Sequence, residues 1–259
     1  MSAIPGVVAI NTFREAVRDR VLYNLILFAL MMIGAAILVG QISLGIERLV
    51  IINLGLSAIS IFGIIMAIFI GVGLVYKEME KRTLYSLLSK PIRRWEFLVG
   101  KFAGLVLTLV VNTALMTLGL AAALYLVSRK LERADGSILV AVYFILLELA
   151  LVTALALFFS CFSSPMLSTL YTLGIYVAGV FAPDIQGVSQ FTRNWMVAAA
   201  ARFVYYLVPN FHNYNVIAVA AHSEGVPAAL IWHNTLYAAL YVVLLLVASS
   251  AVFTGRNLK

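Results

Sequence analysis

The chain has 259 residues, of which 63% are hydrophobic and 11% charged, and its mean hydropathy is +1.04. Soluble domains carry about 25% charged and about 45–50% apolar residues, so these proportions exclude an ordinary water-soluble fold and indicate a polytopic integral membrane protein, read from the spans below as all-α. The net charge of +7 does not argue for nucleic acid, because the basic residues gather in short segments beside apolar runs. The single cysteine, Cys161, excludes a disulfide framework within the chain.

In chain order, residues 5–20 read as an interfacial amphipathic helix, with Ile10, Phe13 and Val17 on one side and Asn11, Arg14, Glu15 and Arg18 on the other. Six spans follow in one transmembrane domain covering 1–259, at 21–40, 49–75, 102–127, 138–162, 166–182 and 235–253. The first is longer than the roughly 7–15-residue apolar core of a secretory signal. In the second, Gly63, Ala67 and Gly71 recur every four residues, a stripe of small side chains that allows another helix to approach closely. Residues 184–234 form an exterior segment. Its apolar stretch 195–208 is too short to span and carries Arg202, so it reads as re-entrant or interfacial. Pro209 and Asn210 stop it.

Placing both termini on the cytoplasmic side puts twelve Lys and Arg residues there and six outside. That bias fixes the orientation. It also makes the block 76–101, YKEMEKRTLYSLLSKPIRRWEFLVGK, cytoplasmic. Within it, Leu84, Leu87 and Leu88 share a helical face, while Lys77, Glu78, Glu80, Lys81 and Arg82 crowd the first turns. Pro91 breaks that helix and can begin a second, which runs into the third span. A bent element with one apolar face and several charges suits docking on another protein.

Glu78-x-Glu80-x-x-Thr83-Leu84, Leu87-Leu88, Lys90-Pro91, Arg94, Phe97 and Gly100-Lys101 resemble the cytoplasmic segment of ABC-2 type transporter permeases. The similarity is nearest to the branch associated with multi-copper enzyme maturation. It implies a type V ABC exporter fold and a location in the inner (cytoplasmic) membrane. It also implies a working unit of two permeases, as homo- or heterodimer, and two separate ABC ATPase subunits that hold ATP and magnesium. Membrane lipids and an exterior accessory protein are further implied partners. On the resemblance, Glu78, Glu80, Thr83, Leu84, Leu87, Leu88 and Pro91 couple to the ATPase, with Lys81 and Arg82 beside them.

The chain has no G-x-x-x-x-G-K-[ST] phosphate loop, since Gly100-Lys101 is followed by Phe102 and lacks the upstream glycine. ATP hydrolysis is therefore expected in the partner and no cofactor in this chain. Ser163 and Ser164 have no nearby histidine or lysine to activate them, so an enzyme is not expected. His212, His222 and His233 are ten and eleven residues apart, a spacing that fits no compact metal motif.

Glu148 is the one charged residue placed within a span, where an ionisable group costs at least ~2.5 kcal/mol. It lines a pathway, carries a proton or meets a cationic group. Otherwise it is a structural carboxyl tied to Tyr143, Thr153 or Asn112. The expected function is the permease subunit of an ATP-driven exporter. The alternatives are a membrane scaffold anchoring an ATPase of a surface apparatus, or a secondary transporter. The latter would want paired intramembrane charges or inverted repeats, which are not apparent.

Overall fold

A computed structural model describes residues 4–18, 20–42, 45–80, 94–128, 136–192 and 194–255. The helices are α1 (Ile4–Val17), α2 (Arg20–Ile42), α3 (Glu47–Glu80), α4 (Arg94–Ser128) and α5 (Gly136–Ser160). They continue with α6 (Pro165–Val180), α7 (Ala182–Phe191), α8 (Trp195–Leu207), a 3-10 turn (His212–Tyr214), α9 (Ile217–Ala221) and α10 (Ala228–Gly255). No strand occurs among the described residues. Helices satisfy every backbone polar group within the segment, which is what a long apolar sequence requires in hydrocarbon.

Among the described residues, α2, α3, α4, α5 and α10 are long and apolar enough to cross a membrane. The expected span 166–182 takes another form. Helix α6 ends at Val180 after 16 residues, and α7 departs at 65°. The pair makes six crossings only if it is counted as one broken span. The cause lies in the sequence: Pro183, in the first turn of α7, has no amide to donate back to α6. Helix α8 is 13 residues long, started by Asn194, whose side chain accepts a hydrogen bond from Met196 N at 3.0 Å.

Three other features differ from the sequence reading. Helix α4 runs from Arg94 into the third span, and Phe97 and Lys101 on it are buried, 8% and 1% exposed. Lys101, expected in water, lies with Nζ 5.8 Å from the centroid of the Phe97 ring. Helix α10 begins at Ala228 rather than Thr235, which brings His233 and Asn234 into it. Helix α3 runs on past Val75 to Glu80, so Glu78 and Glu80 lie on its last turn. Lys81, Arg82, Thr83, Leu84, Leu87, Leu88 and Pro91 lie outside the described residues.

Helix α5 is the centre of the bundle, packed by α3, α4, α6 and α10. Most of its length is buried, including Phe144, Leu149, Leu151 and Val152. The small-residue stripe of α3 is what lets α5 approach. A methyl group added at Gly63 would lie 2.9 Å from Leu149 Cδ1, and one at Gly71 would lie 2.8 Å from Ala156 Cβ. Ala67 between them is 1% exposed.

A second glycine pair ties α1 to α4. At Gly104, an added Cβ would meet the Ala9 carbonyl oxygen at 2.5 Å and Thr12 Cβ at 2.7 Å; at Gly100 it would meet Val8 Cβ at 2.7 Å. Small residues four apart allow this backbone approach. Replacing Gly104 with leucine is expected to lever α1 off α4 and cost about 1–3 kcal/mol. The thermal midpoint of the detergent-solubilised protein should fall by several degrees. Gly73→Leu, at a position with open space around it, should leave the midpoint in place.

Candidate functional site

Because α6 is short, a hole is left beside α5, and the chain from Leu207 to Ala221 folds into it. Phe211 and Tyr214, in a stretch rich in polar residues, are each 1% exposed. The Tyr214 ring lies 6.4 Å from that of Phe144, and the Phe211 ring 5.1 Å from that of Tyr176. The turn is tied down on three sides. Phe211 N donates to the Gly179 carbonyl oxygen of α6 at 3.1 Å. Ser137 Oγ of α5 donates to the Ala220 carbonyl oxygen at 3.1 Å. On α10, Asn234 Nδ2 donates to the Asn213 carbonyl oxygen at 3.1 Å, and Tyr237 OH accepts from Asn210 N at 3.1 Å.

Beneath this plug lies Glu148, 6% exposed and one residue before the Leu149 that packs on Gly63. Its partners differ from those the sequence suggested. Ser60 Oγ of α3 donates to Glu148 Oε2 at 3.4 Å, and Tyr176 OH of α6 donates to Oε1 at 3.1 Å. Tyr143 instead pairs with Thr235 Oγ1 at 2.7 Å. Thr153 Oγ1 bonds back to the Leu149 carbonyl oxygen at 2.7 Å, and Asn112 Nδ2 reaches Met66 Sδ at 3.8 Å. Each expected partner is engaged elsewhere because it sits on a different face or level of the bundle. One carboxyl group thus joins three helices, α3, α5 and α6.

The site encloses a cavity of about 80 Å³, lined by Ser60, Glu148, Tyr176, Tyr214, His212 and Asn215 among others. His212 and Asn215 are exposed and form its mouth. That mouth lies on the side of Gly136 and Ser128, opposite the ends of α3 and α4 that flank 81–93. Of the three histidines, His212 alone reaches the site. His222 Nδ1 lies 2.9 Å from the Ala218 carbonyl oxygen, and His233 is on α10. Among the described residues, no three His, Cys, Asp or Glu side chains converge to hold a metal ion.

Ser60 could have been found from the sequence: it extends the small-residue stripe of Gly63, Ala67 and Gly71 one step back along α3. Tyr176 and the plug carried no such signal. A tyrosine in an apolar run and a polar stretch after a proline read as interface and loop.

Long apolar helices with a buried carboxyl at their junction describe a multi-pass membrane core. A search of curated proteins returns no match. The family model for ABC-2 family transporter proteins matches residues 7–258, nearly the whole chain. The chain belongs to the ABC-2 transporter family and is the membrane permease of an ABC transporter that works with an ABC ATPase.

Proposed function

We propose that this permease is the membrane half of an exporter, and that the 76–101 segment couples it to a separate ATPase subunit. The observation that carries the reading is the continuity of α3. The same unbroken helix bears Ser60, bonded to Glu148, and ends at Glu80 at the start of the charged segment. From Ser60 to Glu80 the distance is about 30 Å at the helical rise, a continuous helical connection from the middle of the span to the end that leads into the charged segment. A push on the ATPase-facing end would therefore reach the Glu148 junction without passing through a loop.

In this reading, two copies of the chain or a chain and a close relative form the path, and each engages one ATPase that binds ATP and magnesium. The N- and C-termini face the cytoplasm in the inner membrane, as the Lys and Arg bias implies. The residues Glu78 to Lys101 favour the branch associated with multi-copper enzyme maturation. The test is reconstitution: the chain is purified with the ABC ATPase that co-purifies with it and placed in liposomes. ATP-dependent movement of a co-purifying lipid or solute out of the ATPase-side leaflet or compartment is expected. An ATPase that binds but moves nothing in either direction would make the chain an anchor instead.

A further inference from the structure

We propose that the pocket around Glu148 is a binding site for one small cation, a proton or a monovalent ion no larger than ammonium, reached from the side opposite 76–101. The inference rests on the geometry of the pocket and not on the exporter reading.

The pocket has the donor set and charge for such an ion. Its polar atoms include the Glu148 carboxyl oxygens, the hydroxyls of buried Ser60 and half-buried Tyr176, and the hydroxyl of buried Tyr214, which donates to the Asn234 carbonyl oxygen. Each carboxyl oxygen accepts one hydroxyl and keeps a further lone pair, and each hydroxyl oxygen keeps acceptor capacity. These are hard oxygen ligands, suited to a proton, an alkali ion or ammonium rather than to a thiophilic metal. Among the residues lining the pocket there is one carboxyl and no lysine or arginine. A single positive charge neutralises it; a divalent ion would leave a net charge buried in low dielectric, which is costly.

Size and access agree. A cavity of about 80 Å³ has room for a few waters, or for one small ion with part of its shell. Glu148 lies about 18 Å along α5 from Gly136, yet the plug brings exposed His212 and Asn215 to the rim of the same cavity. The titratable groups facing Glu148 are Tyr176 on α6, His212 and Tyr214 on the turn, and Tyr237 behind Tyr214 on α10. Helix α3 presents the Ser60 hydroxyl, and α9 has no titratable residue.

The test is labelling of the full chain in nanodiscs with dicyclohexylcarbodiimide, which attacks protonated carboxyls in apolar surroundings, read by peptide mass. Modification at Glu148 is expected to rise at least tenfold as the pH is lowered. If Na⁺, K⁺ or NH₄⁺ suppresses it at constant ionic strength and pH, where choline does not, the occupant is the metal or ammonium ion. Dependence on pH alone assigns the proton. Labelling indifferent to both pH and cations overturns the proposal. So does an absence of labelling in both the native chain and His212→Ala, whose mouth is wider. Glu148→Gln gives the background of the assay.

Discussion

Changing Glu78 and Glu80 together to lysine is expected to abolish capture of the ATPase while leaving the permease folded. Both residues occupy the last turn of α3, where the helix leaves the apolar bundle and the charged segment begins. On the proposed coupling, carboxylates at that place would meet the ATPase through charge-assisted hydrogen bonds, and losing one side of such a pair, once buried, costs about 2–5 kcal/mol. That is roughly a 30-fold loss of affinity at the low end, and reversal adds repulsion to the loss. The variant should elute without the ATPase, and ATPase activity should no longer respond to the permease. Its thermal midpoint in detergent should be unchanged within a degree or two. Glu47→Lys makes the same chemical change at the opposite end of α3 and should leave capture intact. Full binding and stimulation with the double variant would remove the coupling role from this segment.

The contrast between those two ends of α3 shows what sequence can deliver. The long apolar runs are legible because hydrocarbon demands about 20 apolar residues per crossing, and α2, α3, α4, α5 and α10 each meet that demand. Glu148 is legible for the same reason, as an exception to it. Its partners are not. Ser60 and Tyr176 stand 88 and 28 residues away in the chain, and only the packing of α3 and α6 on α5 brings them to one carboxyl.

The ends of elements are less legible for a different reason. Charged residues near a helix end look like loop, yet the first turns of α4, against which α1 packs, carry buried Glu96 and Lys101. Gly100 and Gly104 announce that cover by their spacing, but in the sequence Gly100-Lys101 draws the eye as a phosphate-loop fragment. The break at Phe181 and the plug beside it have no local pattern in the sequence that marks them. Both follow from a proline whose effect depends on what fills the space it opens.

That filling makes Gly179, on α6, a position on which the seating of the plug depends. A side chain there would run into the Pro209 carbonyl oxygen and lie 2.5 Å from Phe211 Cδ2, and it would disturb the 3.1 Å bond from Phe211 N to its own carbonyl. Gly179→Val is therefore expected to lift the turn away from α6 rather than to unfold the bundle, because α5 keeps its contacts with α3, α4 and α10. Overpacking of this kind costs about 1–3 kcal/mol. One or two kcal/mol is already a factor of about 5–30 in an equilibrium, so opening should become at least fivefold more frequent. Val216→Cys reports it, since Val216 is 6% exposed in the turn and cysteine is close to it in size. A membrane-impermeant maleimide should label that cysteine at least fivefold faster with Gly179→Val. The buried Cys161 of the unmodified chain supplies the background rate. Gly174→Val, on the same helix with open space around it, should not change the rate. Equal labelling in both variants would mean that the turn is held by α5 and α10 alone. The short α6 would then have no part in closing the Glu148 pocket.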